Sequence, residues 1–281
     1  MIIGEKEFDT EKNGYIMGIL NVTPDSFSDG GKFYRLEDAL KQTEKMIQDG
    51  ATIIDVGGES TRPGGYTHIS NEEEISRVVP AIEAIKKRFD VAVALDTYHS
   101  KVAQAGILAG ADMINDIWGL QYDQGEMAEV IAKYDVACCL MHNRNISTVG
   151  ADKQESFYED VTAEVQKDLQ KTLEIAKRAG ISENKICLDP GIGFGKTYRD
   201  NLVMMKHLDV LQTLGYPVLL GTSRKSMIGY ALNLKADQRM EGTVATTVFG
   251  YMKGCRIFRV HDVLENARAL KMTEAMANVE E

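Results

Sequence analysis

Polar side chains recur in this chain at one kind of place, the point where a short apolar run ends. They are Asn21; Asp55, with Glu59, Thr61 and Arg62 beyond it; Asp96; Asn115; His142; Asp189; Ser223, Arg224 and Lys225; and Arg259 and His261. A single aspartate in such a place is often the N-cap of the next helix, as we expect for Asp262. Burying so many polar groups without partners would be costly. Their coincidence therefore indicates one shared functional site.

The chemistry that these residues offer has two halves. Two carboxylates and an amide can recognise a ring edge rich in N–H groups, such as an aminopyrimidinone. Three side chains that are cationic, or can become so, suit phosphate or pyrophosphate. The first half comprises Asp96, Asp189 and Asn115, and the second comprises Lys225, Arg259 and His261. A site with both halves predicts a polar heterocycle that carries a phosphorylated leaving group.

Two glycine-containing loops lie beside these residues. GIGFGKT, residues 191–197, resembles a phosphate-binding loop but lacks the GxxxxGK[ST] spacing of a P-loop. We interpret its glycines as a tight turn that places Phe194 over the shared functional site. ESTRPGG, residues 59–65, contains a proline and glycines that fit a hinged turn.

The stretch GILNVTPDSFSDGG, residues 18–31, begins as a strand and becomes a loop at Asn21. This loop runs to about Leu36, longer than the roughly 2–6 residues that usually join a strand to a helix. We expect a lid that orders over the bound ligand, with Phe27 as one wall of the site. The alternative is a static loop with Phe27 packed beneath it.

Short apolar runs alternate with amphipathic segments along the whole chain. The apolar runs are YIMGILN (15–21), ATIIDVG (51–57), VAVALDT (91–97), DMINDIW (112–118), VACCLMH (136–142), KICLDPG (185–191), PVLLGTS (217–223) and CRIFRVH (255–261). Near-continuous apolar strands are typical of parallel sheets covered on both faces. We predict an α/β fold, a single (β/α)8 TIM-barrel domain over residues 1–281, with its active site at the C-terminal ends of the strands. An open doubly wound sheet is the alternative.

Helical periodicity fills the intervals between these strands. The predicted helices cover residues 36–50, 72–88, 125–134, 157–180, 201–215 and 241–254. Five glycines stand where helices should end before the next strand, as C′ residues do. They are Gly50, Gly110, Gly180, Gly215 and Gly254.

Composition argues against some classes of partner and location. A net charge of −10 and a pI of about 5.1 make nucleic acid or an anionic membrane surface an unfavourable partner. The four cysteines lie in apolar runs without CxxC spacing, so we interpret them as reduced core residues. No signal peptide and no run of about 18 apolar residues is evident. We therefore expect a cytoplasmic protein.

Eight motifs, in order along the chain, resemble those of the dihydropteroate synthase family of folate biosynthesis. They are MGILNVTPDSFSDGG (17–31), IIDVGGESTRPG (53–64), LDT (95–97), INDIWG (114–119), LMHN (140–143), LDPGIGFGKT (188–197), GYPVLLGTSRKSMIG (215–229) and RVHDV (259–263). The resemblance implies a transferase that joins 6-hydroxymethyl-7,8-dihydropterin pyrophosphate to p-aminobenzoate, giving 7,8-dihydropteroate and pyrophosphate, with Mg²⁺ as cofactor. It also implies a sulfonamide target and a homodimer, for which TVATTVFGYM (243–252) could supply the contact.

The resemblance also implies a role for each matching position. The pterin would be bound by Asp96, Asn115, Asp189 and Lys225, with Ile117, Met141 and Phe194 lining its ring and Arg259 near its face. The pyrophosphate would be held by Asn21, Thr61, Arg62, Arg259 and His261, with Asn21 also reaching the metal. The p-aminobenzoate side would comprise Pro24, Phe27, Thr61, Arg62 and Ser226. The catalytic group would be Asp96, Asp189, Lys225, Arg259 and His261.

Rival functions share part of this pattern. A pterin-dependent methyltransferase of the same fold, serving a corrinoid protein, would keep the carboxylates but has no need of the lid, the Ser-Arg-Lys-Ser run, Arg259 or His261. A non-catalytic pterin-binding protein should have lost some of the anion-handling residues. A phosphosugar isomerase would need a positioned base, for which Glu59 is the only loose candidate. We expect His68, His99 and His207, which lack ligand-like spacing, at the surface or on helix faces.

Overall fold

In the computed structural model, eight parallel strands close into a barrel in chain order, and the last pairs with the first. A short antiparallel ribbon, β1 (Ile2–Ile3) and β2 (Lys6–Glu7), precedes them. The barrel strands are β3 (Tyr15–Asn21), β4 (Ile53–Gly57), β5 (Ala92–Asp96), β6 (Met113–Asp116), β7 (Ala137–Met141), β8 (Ile186–Asp189), β9 (Val218–Leu220) and β10 (Cys255–Val260). The structure describes residues 1–22, 32–59, 69–144 and 156–279, with the backbone alone for 32–35. The barrel prediction is confirmed, and each predicted run contains its strand.

Successive side chains along each strand point to opposite faces of the barrel wall, which separates two apolar layers. In β4, Ile54 and Val56 belong to the outer layer beneath the helices, whereas Ile53 belongs to the barrel interior. The interior cluster also contains Ile3 and Phe8, beside the first residues of several strands. The N-terminal segment therefore packs against the end of the barrel where the strands begin.

Helices cover the outside of the barrel. Those of the described residues are α1 (Lys32–Gln48), α2 (Asn71–Arg88), α3 (Ser100–Leu108), α4 (Glu126–Tyr134), α5 (Val161–Ala179), α6 (Tyr198–Lys206), α7 (Ser226–Leu232), α8 (Met240–Met252) and α9 (Val263–Ala277). The single helix expected over 201–215 is instead α6 and a 3₁₀ segment, Leu208–Leu214, because His207 leaves the helical conformation. All five glycines expected at C′ positions have positive φ, as predicted. Within the described ranges, no helix is both long and apolar enough to cross a bilayer.

Strand register brings polar residues to one level. Asn21 pairs with Gly57, Gly57 with Asp96, and Asp96 with Asn115. Because these strands are parallel, their carboxyl ends form one row across β3–β6. The register thus builds half of the barrel mouth, by which we mean the carboxyl ends of the barrel strands.

Candidate active site

A hydrogen-bonded ion cluster links four strands at the barrel mouth. Arg259 of β10 donates from Nε to Asp55 Oδ2 at 2.5 Å and from Nη2 to Asp96 Oδ2 at 2.6 Å. Asn115 Nδ2 also donates to Asp55 Oδ2, at 3.4 Å. Asp55 is 0% exposed, so it is a buried anchor shared by Arg259 and Asn115. Sequence reasoning placed Asp55 among the polar strand ends of the shared site but assigned it no specific role.

Two oxygens of this cluster have unmet hydrogen-bonding capacity. Asp55 Oδ1 and Asp96 Oδ1 are buried and have no partner among the described residues. Burial raises the pKa of Asp96 to about 7, although Arg259 opposes the shift. Leaving a buried acceptor unsatisfied costs free energy. A ligand that donates N–H groups here would remove that cost and favour the ionised carboxylate.

Asp189 and Lys225 supply a second pair of opposite charges. A Cβ built on Gly221 would lie 3.6 Å from Asp189 Oδ2 and 3.9 Å from Lys225 Nζ, so both groups border the same small space. Burial lowers the pKa of Lys225 to about 8, and Asp189 opposes that shift. Burial also raises the pKa of Asp189, with Lys225 acting against it. Each group therefore stabilises the charge of the other.

The predicted ring-lining residues form one apolar cluster. Ile117, Met141 and Phe194 pack together in a group that is separate from the two barrel layers. Tyr98, two residues after Asp96, is also a member. Lys225 Nζ lies 4.8 Å from the centroid of the Phe194 ring, within cation–π range. The cluster and the charged pair thus meet at Phe194, as a pocket for a polar aromatic ring requires.

Lys225 is presented by a backbone turn with an unusual conformation. The preceding residue, Arg224, has φ of +56°, which is uncommon for any residue except glycine. Its N–H donates to Thr243 Oγ1 and its carbonyl accepts from Arg239, both at 3.0 Å. Its guanidinium pairs with Asp262. These contacts stabilise the conformation that directs Lys225 to the pocket.

The ion pair between Arg224 and Asp262 corrects the expectation that Asp262 caps the last helix. It is the N-cap residue of α9 by position, but its side chain makes no capping hydrogen bond. The carboxylate accepts from the Arg224 guanidinium instead, at 3.0 Å from Nε to Oδ2.

The anion-handling residues lie around the same mouth. Ser223 Oγ accepts the backbone N–H of His261 at 3.1 Å and lies 2.9 Å from His261 Nδ1. Asn21 ends β3, and its Oδ1 would lie 3.7 Å from a Cβ built on Gly57. Ser226 is the first residue of α7 and is half-buried. Pro24, Phe27, Thr61 and Arg62, together with the lid, lie outside the described residues, so their roles stay predictions.

One histidine expectation is wrong. His99 is buried rather than superficial, and its Nδ1 lies 3.1 Å from Glu74 Oε2. His99, Glu59 and Glu74 each offer a ligand atom, and these atoms lie within 4.8 Å of one another. Glu59 also accepts the N–H of Ile69 at 3.2 Å. Hydrogen bonding thus accounts for this cluster without a metal ion. His207 is exposed, as expected, and His68 lies outside the described residues.

The chain is similar to known proteins over nearly its full length. Residues 17–261 match the family described as pterin binding enzyme. A dihydropteroate synthase of Clostridium beijerinckii is 59% identical over 275 residues, 98% of each chain. A crystal structure of dihydropteroate synthase from Clostridium difficile, in the presence of pteroic acid, gives a TM-score of 0.90 at 45% identity and covers 97% of this chain and 100% of that chain. A Yersinia pestis dihydropteroate synthase in a sulfonamide drug complex gives 0.90 at 41% identity, covering 100% and 99%.

The barrel, its polar mouth and these similarities define the class of protein. The chain belongs to the pterin binding enzyme family. Within that family it belongs with the dihydropteroate synthases, transferases of folate biosynthesis that join a dihydropterin pyrophosphate to p-aminobenzoate.

Proposed function

We propose that the barrel mouth performs this transfer with the residues that the sequence singled out. Asp96, Asn115 and Asp189 accept and donate hydrogen bonds at the edge of the pterin ring, with Lys225 beside Asp189. Ile117, Met141 and Phe194 enclose the ring. The observation that carries this assignment is the buried Asp96 Oδ1, which has no hydrogen-bond partner among the described residues and which a pterin N–H group would satisfy. The Clostridium difficile relative was crystallised in the presence of pteroic acid, which contains this ring.

We assign the pyrophosphate to the cationic side of the mouth. Arg259 and His261 lie at the end of β10, and Asn21 lies at the end of the neighbouring β3. Arg259 is held by Asp55 and Asp96, so its guanidinium is preorganised and its remaining N–H groups can serve an anion. Thr61 and Arg62 complete this group in the proposal.

Mg²⁺ fits the same side, with Asn21 as its protein ligand. Mg²⁺ prefers oxygen ligands and usually retains waters and phosphate oxygens, so one amide oxygen is a suitable protein contribution. The Asn21 side-chain oxygen lies close to Gly57, the register partner of Asp96. When bound, Mg²⁺ would neutralise charge on the leaving pyrophosphate.

The chain's own residues can then support departure before attack. The bond between the methylene carbon and the pyrophosphate oxygen breaks, and its electron pair leaves with the pyrophosphate. Asp96 and Asp189 stabilise the resulting pterin-conjugated cation by electrostatics. The amine nitrogen of p-aminobenzoate attacks that carbon and then loses a proton. No nucleophilic side chain is required, and a covering loop that excludes water would prevent wasteful hydrolysis.

The test is product formation by the purified protein. Incubation with Mg²⁺, p-aminobenzoate and the dihydropterin pyrophosphate should yield pyrophosphate and dihydropteroate in equal amounts. Mass spectrometry measures both products. Asp189→Ala should abolish both products, whereas Asp209→Ala, an exposed aspartate paired with Lys253, should not. Chelation with EDTA should stop the reaction and added Mg²⁺ should restore it. Pterin binding without product would overturn the catalytic role and favour the non-catalytic or methyltransferase alternative.

We further propose that the p-aminobenzoate side binds sulfonamides, with Ser226 and the loop residues Pro24, Phe27, Thr61 and Arg62 as contacts. The proposal is supported by the Yersinia pestis relative, whose structure is a sulfonamide drug complex. A sulfonamide should raise the apparent KM for p-aminobenzoate without changing kcat. Inhibition that p-aminobenzoate cannot relieve would contradict a shared site.

A homodimer is proposed through α8 and α9, which pack against each other. Four large apolar side chains on these helices are exposed, namely Phe249, Met252, Met272 and Met276. Exposed apolar side chains on neighbouring helices are typical of an interaction surface. Analytical ultracentrifugation should give twice the chain mass, and the double variant Phe249→Ser/Met252→Ser should shift it to one. A monomeric wild type would refute the dimer.

We propose a reducing compartment, such as the cytoplasm, as the location. All four cysteines, Cys138, Cys139, Cys187 and Cys255, are buried and free. Burial raises the pKa of Cys255 well above its usual value, which keeps that thiol protonated and unreactive. Fractionation of the cells that make this protein tests the location, and recovery from an oxidising compartment would contradict it.

A further inference from the structure

A second lysine, more deeply buried than Lys225, lies beside the proposed pterin pocket. Lys196 is 3% exposed, and its ammonium has three acceptors. Nζ lies 3.0 Å from Gly191 O, 3.2 Å from Phe194 O and 3.0 Å from His142 Nδ1. An ammonium has three N–H groups. Its donors are therefore fully used within the protein, and two of them hold backbone carbonyls of the 191–197 loop.

The imidazole of His142, which accepts from Lys196 at Nδ1, is held in place through its other nitrogen, Nε2. His142 Nε2 lies 3.3 Å from Asp168 Oδ2 of α5, and Asp168 also pairs with Arg144 and Lys171. Burial lowers the pKa of His142 to about 4, so the imidazole is neutral. A neutral ring that donates Nε2–H to Asp168 presents a lone pair at Nδ1. Asp168 thus selects the tautomer that accepts from Lys196.

This chain of contacts reaches Asp189 of the pocket at two of its atoms. The N–H of Gly191 donates to Asp189 Oδ1 at 2.7 Å, and the N–H of His142 donates to Asp189 O at 2.9 Å. Gly191 has φ of +67°, and a Cβ there would lie 2.0 Å from His142 O. The loop therefore passes so close to the end of β7 that only glycine fits. Lys196 joins the two segments at that crossing.

We propose that Lys196 is a positioning residue for the pterin pocket, which ties the 191–197 loop to His142 and so fixes Asp189 and Phe194 against the ring. The proposal rests on the proposed function of Asp189 and Phe194. Lys196 itself contacts neither substrate, since its three donors are occupied. Its removal should therefore weaken pterin binding without changing the affinity for p-aminobenzoate.

The test compares Lys196→Met with Lys206→Met. Lys206 is an exposed lysine at the end of α6, so it controls for loss of one positive charge from the segment that follows β8. The dissociation constant of 6-hydroxymethylpterin, measured by isothermal titration calorimetry, should rise at least tenfold in Lys196→Met and stay within twofold in Lys206→Met. The KM for p-aminobenzoate should stay within twofold in both. A folded Lys196→Met protein that binds the pterin normally would overturn the proposal.

His142 variants keep the proposal testable if Lys196→Met does not fold. His142→Asn retains an acceptor near the Nδ1 position, whereas His142→Leu removes it at similar volume. Pterin affinity should fall in His142→Leu and largely recover in His142→Asn. Equal affinity in the two variants would refute the role of this acceptor. Asp189→Ala, measured alongside, distinguishes failure of the Lys196 proposal from failure of the proposed function. If Asp189→Ala also binds the pterin normally, the assignment of Asp189 to the pterin pocket is wrong.

Discussion

Lys196 belongs to the 191–197 loop and Lys225 contacts it from outside, yet the two differ in what surrounds their ammonium groups. Lys196 has three protein acceptors. Lys225 donates to Ile192 O, faces the Phe194 ring and borders the space that Asp189 also borders. Burial lowers the pKa of both, to about 7 and about 8. Burial alone therefore does not identify a binding residue. The two lysines differ in how many of their N–H donors are hydrogen-bonded to the protein.

Aspartates show the same contrast at the two ends of one strand pair. Asp112, just before β6, accepts from the backbone N–H of Val93 at 2.8 Å and pairs with Lys86. Asp96, at the carboxyl end of β5, keeps a buried oxygen without a partner among the described residues. Asp112 stabilises the end of the barrel where strands begin, and Asp96 is available to a ligand.

The largest effect should follow loss of the Lys225 charge. Lys225→Met leaves the buried Asp189 without the cation that most opposes the rise of its pKa. We expect kcat/KM for the pterin pyrophosphate to fall at least about 100-fold, or roughly 2.7 kcal/mol. In steady-state assays, Lys196→Met should instead keep kcat while raising KM for that substrate. Identical kinetic changes in the two variants would erase the contrast between the lysines.

Asp55→Asn should have the next largest effect. The variant keeps the shape of the side chain but loses the charge that anchors Arg259. We expect about a tenfold fall in kcat/KM for the pterin pyrophosphate, since charge-assisted hydrogen bonds contribute roughly 1.5–3 kcal/mol. Asp112→Asn is the matched control at the other end of the barrel, and its kcat/KM should not change. A normal Asp55→Asn enzyme would remove Asp55 from the site.

Pterin affinity should depend on pH through Asp96. Burial raises the pKa of Asp96 to about 7 in the free protein, and a pterin N–H donor favours the ionised form. Binding near neutral pH therefore releases a proton, and affinity should rise up to about tenfold from pH 6 to pH 8. Calorimetry in buffers of different ionisation enthalpy measures the release. The pH dependence of pterin affinity should be flatter in Asp96→Asn. Any titration of the ligand itself affects the wild type and the variant equally. If the variant has the same pH dependence as the wild type, the released proton comes from another group.

The smallest effect should come from Asp262→Asn. The partner of this residue, Arg224, has a side chain that is 37% exposed, and ion pairs of that kind contribute about 0.2–1 kcal/mol. The backbone contacts of Arg224 with Thr243 and Arg239 remain. Activity should therefore fall threefold or less. A tenfold loss would show that the ion pair, and not the backbone clamp, directs Lys225.

The sequence predicted the barrel and most of its mouth because both depend on local patterns. Apolar runs such as YIMGILN became strands with little change, and their polar ends converge because parallel strands share a carboxyl end. Asp55 was underestimated because its importance depends on Arg259, which is distant in the chain and adjacent only in the closed barrel. His99 was misjudged because Glu74, its partner, comes from another helix.

Lys196 shows a further limit of sequence reasoning. Two of its three acceptors are carbonyls of its own loop, and no side-chain pattern encodes which way a carbonyl points. The third depends on a histidine tautomer that Asp168 selects across the fold. Motifs identify residues with reactive chemistry, whereas the groups that position them emerge only from the folded backbone.

We propose that the pterin binds the polar groups at the barrel mouth whose hydrogen bonds the protein leaves incomplete. The most direct measurement is the dissociation constant of 6-hydroxymethylpterin for the wild type and four variants. We expect Asp96→Asn, Asp189→Asn and Lys225→Met each to weaken binding at least tenfold and Asp112→Asn to bind like the wild type. Four equal losses, or none, would show that these groups at the barrel mouth do not bind the pterin.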